Sequence, residues 1–442
     1  MSPQKEKAHV AVVGAGLTGG LLACYLGRRG YRVDVYERRP DPRVTGAERG
    51  RSINLALSER GIDALRRIGL ADEVLADALP MRGRMVHPLG GAPNFQPYSI
   101  SGDRAINSIG RGALNNALLD AAAATPGVTI HFDHPLTELD PEAGTLGFAD
   151  GSQAKADIIL GADGAGSATR GLLLAYAGDA FDEEVSFLDY GYKELTIPAR
   201  DGGFALDPGA LHIWPRGTSM MIALPNPDGS FTGTLFWPNG GTGSFASLGS
   251  PAAVERHFRK NYPDLLELIP DLPGDFRHNP VGLLGTVRCG PWQMLGKVAL
   301  IGDAAHAIVP FYGQGANAAF EDVVELDRCL EATGDDWPAA LPLYEQNRRE
   351  NSEAIAEMAL ANFVEMRDKV ADPLFKLGKR VEHTLERLLP GVYVSRYELV
   401  SFSTTPYATV RRRVRRQHQA LAAVAAAAGV AAAALIAKAV RR

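Results

Sequence analysis

Residues 10–37, VAVVGAGLTGGLLACYLGRRGYRVDVYE, constrain the fold of this chain more than any other stretch. The run 10–13 is apolar and reads as a buried parallel strand. It ends in Gly14-Ala15-Gly16-Leu17-Thr18-Gly19, a helical pattern follows, and a second strand over 31–36 closes on Glu37. Each part has a mechanical job in holding a dinucleotide. Gly14 permits the tight turn, Gly16 lets a pyrophosphate approach the backbone, and Gly19 lets the helix lie close to the strand. The helix start offers unpaired N–H groups and the positive end of its dipole to phosphates. Glu37 suits an adenosine ribose with a bare 2′-hydroxyl, which favours FAD or NAD over NADP. A G-x-G-x-x-G alone is a weak signal. Strand, turn, helix, strand and terminal acid together favour a dinucleotide site over an ordinary glycine-rich turn.

Two later segments also deliver small residues and an acid from a strand end. Residues 156–161 read as a buried strand running into Gly161-Ala162-Asp163-Gly164-Ala165-Gly166-Ser167. Residues 297–301 read as another, ending in Gly302-Asp303-Ala304-Ala305-His306. Asp303 would bind ribitol hydroxyls. Residues 310–317, PFYGQGAN, form a glycine loop opening into a helix over about 316–330. Its N–H groups would face a flavin ring and favour negative charge there. His306 is read as structural, beside a motif driven by backbone groups. Ser58 is read as the N-cap of a helix reaching about Ile68. Arg111 opens a helix whose face carries Leu114, Leu118 and Leu119, and it fits a phosphate contact and a surface arginine equally well. Segments 128–132 and 144–149 read as strands, with Asp150-Gly151 as a hairpin signal. His131 and His134 lack a third ligand and are read as structural or surface residues.

Composition sets limits on the rest. The 442 residues can bury a large core in two interleaved domains. A net charge of −5 gives no reason to expect a nucleic-acid partner. Cys24, Cys289 and Cys329 are scattered, in no metal or redox spacing, which points to reduced thiols in a cytoplasmic protein. The first ten residues run from charge straight into a strand, with no signal-peptide apolar region. Residues 183–288 are rich in Gly, Pro, aromatics and short β-like runs, as expected of an antiparallel domain covering the first. Residues 341–389 are helical in pattern. Near the end, Arg411, Arg412, Arg413, Arg415 and Arg416 precede an uncharged, alanine-dominated run over 420–437. Such a helix would reach about 27 Å, just short of a hydrocarbon core. A soluble helix docked on the body and a tail anchor or interfacial helix, giving membrane association through 411–442, both fit. The arginines read as a solvated or lipid-facing flank, not as a DNA patch.

The motifs GAGLTG, ADG and GDAAH, in this order, resemble those of the FAD-dependent aromatic hydroxylases, the class A flavoprotein monooxygenases. A narrower likeness covers nearly the whole chain. Residues 50–58 (GRSINLALS), 81–85 (MRGRM), 96–98 (QPY), 365–368 (EMRD), Tyr397, Phe402 and Pro406-Tyr407 resemble the kynurenine-hydroxylating branch of that family. The resemblance implies an α/β fold: a Rossmann-type FAD-binding domain interleaved with a mostly antiparallel β substrate domain, plus C-terminal helices. The expected division is a FAD-binding domain over 1–180 and 289–335 with a substrate-contacting insert near 80–100, a β-sheet substrate domain over 181–288, a helical region over 336–410, and a basic, Ala-rich tail helix over 411–442. It also implies bound FAD, NADPH as a transient co-substrate, and conversion of L-kynurenine and O2 to 3-hydroxykynurenine through a flavin hydroperoxide.

Residue by residue, the resemblance implies that Arg84, Tyr98, Asn362 and Tyr397 contact the substrate carboxylate, with Phe236, Pro310, Phe311 and Met366 walling the aromatic ring. A guanidinium fork suits the carboxylate, which it can grip bidentately. For FAD it implies Gly14, Gly16, Leu17, Glu37, Arg38, Ala56, Arg111, Leu136, Asp303, Ala316 and Asn317, with Gly19, Asp163 and Gly315 completing the loops. No catalytic side chain and no metal ligand are expected, because the flavin carries the chemistry. There is no second G-x-G-x-x-G, so NADPH would bind transiently across the domain interface. Rival readings are another class A monooxygenase, a flavin- or NAD-dependent reductase of a lipid or isoprenoid, and a non-catalytic flavin-bound membrane adaptor.

Overall fold

In the computed structural model, which describes residues 7–45, 54–99, 102–366, 373–389 and 391–440, the strand His9–Val13 lies between Arg32–Tyr36 and Ile158–Gly161, all parallel. Val128–His131 and Val298–Leu300 extend this sheet in parallel on either side, and Gln293–Met294 adds an antiparallel edge, making six strands. Val10, Val12, Val33, Val35, Ile159 and Leu160 are all buried. Helices cover both faces of a parallel sheet, so its strands read as continuous apolar runs, not as alternation. The bounds of the five parallel strands fall within two residues of the sequence expectation, which did not include Gln293–Met294.

The helix Leu17–Arg28 starts directly from the first strand and is buried along almost its whole length. Gly14 has φ +99°, and a Cβ there would sit 2.7 Å from the Ala162 carbonyl oxygen. A Cβ at Gly19 would sit 1.8 Å from the Gly14 carbonyl oxygen, so only hydrogen lets the helix close against the turn.

A second sheet has seven strands in the order Gly282–Gly290, Asp182–Ile197, Phe231–Pro238, Ser219–Pro225, Ala210–Arg216, Gly83–Val86, Asn94–Pro97. It is antiparallel except where Ala210–Arg216 runs parallel to Gly83–Val86. The last two strands in this order thus come from far earlier in the chain, within the insert expected near 80–100. One face packs Trp214, Phe231 and Trp237 against the short helices Pro251–Asn261, Pro263–Leu268 and Leu272–His278. The other face carries Met220 and Phe236 toward the long helix Trp337–Val364. Alternating residues of one strand therefore serve two different cores.

Ser58 does stand at the N-cap of the helix Glu59–Arg67, but its side chain makes no cap hydrogen bond. Its hydroxyl instead donates to Gln314 Oε1 at 3.4 Å, a partner from the later glycine loop. Arg60 is wholly buried. It donates to the carbonyls of Val400, Leu399 and Thr405, pairs with Glu321, and lies 3.9 Å from the Tyr407 ring centroid. This one guanidinium fastens the C-terminal segment to the dinucleotide-fold half.

The tail helix, Tyr407–Val440, begins docked on that body. Arg411 pairs with Glu357 at 2.8 Å and Glu350 at 3.4 Å, and Arg412 with Glu350 at 2.7 Å. Arg413 donates to the Gly391 carbonyl at 2.7 Å. Three of the five arginines read as a solvated or lipid-facing flank thus contact the body, as in the docked-helix alternative. Among the described residues no helix is long and apolar enough to cross a membrane. Motif residues 50–53 and 367–368 lie outside the described residues.

Candidate active site

The two sheets meet over one cavity of about 500 Å³. Gly14, Gly16, Leu17, Glu37, Arg38, Ala56, Arg111, Leu136, Asp163, Asp303, Gly315, Ala316 and Asn317 all line it. Gly19 does not; its contribution is the close packing behind the turn. A Cβ at Gly16 would meet nothing within 4 Å, so the helix start faces open space where a phosphate could approach the backbone. Glu37 is buried; one carboxylate oxygen accepts the Ala15 N–H at 2.9 Å, the other accepts the Arg39 N–H at 3.1 Å and Arg39 Nε at 2.9 Å. It braces the turn as well as facing the cavity. Burial pushes the Asp303 carboxyl up, against the pull of His306 and Arg111.

Two expected cofactor residues hold protein with their side chains. The Asp163 carboxylate accepts from Ser167 Oγ at 2.5 Å and from the Thr169 N–H at 3.0 Å, stapling its loop to the helix Ala168–Ala177. Asn317 accepts the Ser58 N–H at 3.0 Å and donates to the carbonyls of Ala56 at 2.9 Å and Gly313 at 2.8 Å. It pins the strand Asn54–Leu57 to the glycine loop.

Other supporting residues gave no sequence signal, because an arginine or aspartate on a helix reads as surface. Arg170 is buried, donates to the carbonyls of Ala304 at 2.9 Å and Ala165 at 2.8 Å, and pairs with Glu183. It joins the second and third cofactor loops. Asp322 accepts the Gly302 N–H at 3.0 Å, His306 Nε2 at 2.6 Å and Arg348 Nε at 2.6 Å. His306 is thus structural, as read. Burial alone would raise the Asp322 carboxyl, but His306 and Arg348 outweigh it and hold the group below the usual carboxylate range. Its contribution to stability is therefore present at neutral pH and lost as pH falls through the folded value, below about 4. Asp322→Asn is expected to destabilise the protein by about 3–5 kcal/mol at neutral pH, because the buried Arg348 guanidinium loses one of its two carboxylate partners. Denaturant unfolding should show this loss shrinking below about pH 4.

In the substrate half, Arg84, Tyr98, Asn362, Tyr397, Phe236, Pro310, Phe311 and Met366 all line the same cavity. Arg84 comes from the strand Gly83–Val86, and Tyr98 follows Asn94–Pro97. Asn362 comes from the helix Trp337–Val364, Met366 lies just beyond its end, and Tyr397 comes from Arg396–Ser401. Tyr98 and Tyr397 stack with centroids 4.9 Å apart. The Arg84 guanidinium lies 4.6 Å from the Tyr397 centroid and 5.7 Å from that of Tyr98. Arg84 Nε and the Tyr98 hydroxyl are buried without hydrogen-bond partners among the described residues. Unengaged buried donors around a guanidinium describe a site built for an anion.

Asn362 donates to the Phe311 carbonyl at 2.7 Å, so it holds the ring wall in place as well as facing the cavity. Phe311 stacks on Phe363 at 4.0 Å and meets Phe236 at 4.9 Å. The sequence reading missed Tyr192, Met220, Ile222, Leu224 and Thr234, which line the cavity from the second sheet. Alternation within 219–225 could have marked three of them as one face. It also missed Tyr312. His134, read as structural or surface, lines the cavity, while His131 bonds Asp34 at 2.9 Å. Among the described residues no cluster of His, Cys, Asp or Glu could hold a metal ion.

A parallel dinucleotide fold joined through one cavity to a β-sheet pocket defines the FAD-binding aromatic hydroxylases. The family model described as FAD binding domain matches residues 7–189 and 286–359. Solved structures of the same fold include 2-methyl-3-hydroxypyridine-5-carboxylic acid oxygenase, with TM-score 0.68 and 23% identity over 84% of this chain and 95% of that one. Klebsiella pneumoniae HpxO complexed with FAD is another, with TM-score 0.68 and 22% identity over 86% of this chain and 96% of that one.

Within that class the chain belongs to the kynurenine 3-monooxygenase family. It is 48% identical over 420 residues to kynurenine 3-monooxygenase of Stenotrophomonas maltophilia, covering 94% of this chain and 91% of that protein. It is 49% identical over 410 residues to that of Myxococcus xanthus, covering 91% and 88%. With that of Dictyostelium discoideum it shares 45% over 417 residues, covering 91% and 90%.

Proposed function

We propose that this chain hydroxylates L-kynurenine to 3-hydroxykynurenine, with FAD bound and NADPH and O2 consumed. The observation that carries the reading is Arg84. Its guanidinium is buried beside the stacked Tyr98 and Tyr397 rings, with Nε unengaged among the described residues, in a ring-walled pocket continuous with a dinucleotide cradle. A substrate with a carboxylate at one end and an aromatic ring at the other matches both halves.

Arg84, Tyr98 and Tyr397 grip the carboxylate, and Phe236, Pro310, Phe311 and Met366 hold the ring and exclude water. The open face at Gly16, the Glu37 carboxylate and Asp303 fit FAD along its length. Bound there, FAD supplies the redox chemistry: it accepts hydride from NADPH and activates O2. The helix beginning at Gly315 lines the cavity with its first residues, and the N–H groups at such a helix start would offset negative charge on a bound flavin. NADPH binds transiently from the domain interface. The division into a FAD-binding domain over 1–180 and 289–335 and a substrate domain over 181–288 remains our proposal for how these halves are encoded. We assign the protein to the cytoplasm, with the tail helix docked on the body through Arg411 and Arg412.

Purified protein with NADPH and L-kynurenine is expected to consume O2 and yield a product heavier by one oxygen atom. Turnover without O2 would favour a reductase, and FAD binding with no turnover a non-catalytic adaptor.

A further inference from the structure

We propose that Thr234 determines specificity, its hydroxyl accepting a hydrogen bond from the ring amino group of L-kynurenine. The proposal rests on the reading of Arg84 as the ligand of the substrate carboxylate.

Thr234 belongs to the strand Phe231–Pro238 and lines the cavity, 4% exposed. Side chains alternate along a strand, so Thr232, Thr234 and Phe236 share one face, while Leu235 and Trp237 pack on the other. The adjoining strand sets Met220 opposite Phe236, Ile222 opposite Thr234, and Leu224 opposite Thr232. Each step along this face covers about 7 Å. At one end Phe236 meets Phe311 at 4.9 Å, within the ring wall. At the other, Leu224 packs in one cluster with Tyr98, whose ring lies 5.7 Å from the Arg84 guanidinium. Thr234 therefore stands between the ring wall and the carboxylate end.

Its hydroxyl differs from that of its neighbour on the same face. The Thr232 hydroxyl accepts from Asn226 Nδ2 at 3.1 Å and donates to Asn54 Oδ1 at 3.3 Å. The Thr234 hydroxyl has no hydrogen-bond partner among the described residues, and Met220, Ile222, Leu224 and Phe236 around it are apolar. A buried hydroxyl left unpaired in an apolar wall is a polar group placed for a ligand. L-kynurenine carries a ketone and, on the adjacent ring carbon, an amino group, between its carboxylate end and the rest of the ring. One N–H of that amine bonds internally to the ketone oxygen. The second has no partner within the molecule, and burying it unpaired costs affinity. Phe236, Pro310 and Phe311 offer no side-chain acceptor, and Met366 only a weak thioether. The Thr234 oxygen supplies one on the wall where the amine comes to lie.

Equilibrium dialysis with the FAD-loaded full chain compares L-kynurenine with the analogue that has hydrogen in place of the ring amino group. The parent protein is expected to bind L-kynurenine about tenfold more tightly than the analogue. Thr234→Val, of nearly the same shape, should lose about tenfold for L-kynurenine and less than about twofold for the analogue, so that discrimination disappears. Thr234→Ser keeps the hydroxyl and should keep the discrimination. A residue that merely shaped the pocket or held the sheet would weaken both ligands alike. Three results overturn the proposal: a parent protein that binds both ligands equally, parent-like binding of L-kynurenine to Thr234→Val, or the same loss for both ligands in that variant. Where Thr234→Val does not fold, Thr234→Ala takes its place in the comparison. Arg84→Ala keeps the two readings apart, because both ligands carry the carboxylate. If it weakens neither, the carboxylate reading fails; if it weakens both while Thr234→Val leaves the discrimination intact, only the role of Thr234 fails.

Discussion

Arg84→Ala is expected to bind L-kynurenine at least about 100-fold more weakly than the parent while keeping its FAD. Removing one partner of a buried ion pair costs about 3–5 kcal/mol, because the remaining charge stays desolvated and uncompensated. Here the remaining charge belongs to the ligand, so the cost falls on binding. The Arg84 guanidinium lies beside the stacked Tyr98 and Tyr397 rings, and its Nε has no hydrogen-bond partner among the described residues. No internal hydrogen bond is therefore broken at Nε by the substitution, and flavin absorbance and thermal midpoint should stay near those of the parent. Equilibrium binding of L-kynurenine to the yellow protein measures this directly. Near-normal affinity would mean that the carboxylate lies elsewhere, and the substrate assignment would go with it.

The second large effect is expected at Gly16. Gly16→Val should give a folded, colourless protein whose affinity for FAD has dropped on the order of 100-fold or more, roughly 3 kcal/mol. Gly16 has φ −76° and ψ −171°, an ordinary extended conformation that valine adopts without strain. A Cβ there meets no protein atom within 4 Å, so the new side chain occupies space that a phosphate would otherwise enter. Gly19→Ala is the contrasting control. Its Cβ would collide with the Gly14 carbonyl, so it should lower stability as well as FAD uptake. Flavin absorbance after gel filtration, read beside the thermal midpoint, separates the two. A yellow Gly16→Val protein would show that no phosphate approaches this turn.

Legibility in the sequence followed the range of the interaction. The three cofactor loops were readable because each is a strand end followed by glycines or an acid, a pattern complete within ten residues or so. The aromatic and arginine contacts around Arg84 were readable only through the family resemblance. Tyr98 lies 264 residues before Asn362 and Tyr397 a further 35 beyond it, and no local pattern joins them. Arg170 and Asp322 escaped notice for a related reason. A charged residue on a helix looks solvated until the fold shows that it is buried against backbone carbonyls and N–H groups of another loop. For the tail, a helix docked on the body and a tail anchor both fitted the sequence, because the acidic partners of Arg411 and Arg412 lie on a helix more than fifty residues earlier.

The sequence alone marked Gly14, Gly16 and Glu37 as the dinucleotide cradle we propose, because period, turn chemistry and helix start are local properties of the backbone. Only the tertiary structure decided which side chains face that cradle and which brace it. Asp163 and Asn317 turn their polar atoms to protein, and Arg170 and Asp322 join separate loops. Buried polar atoms must find partners, and which partner is within reach depends on how distant segments come together.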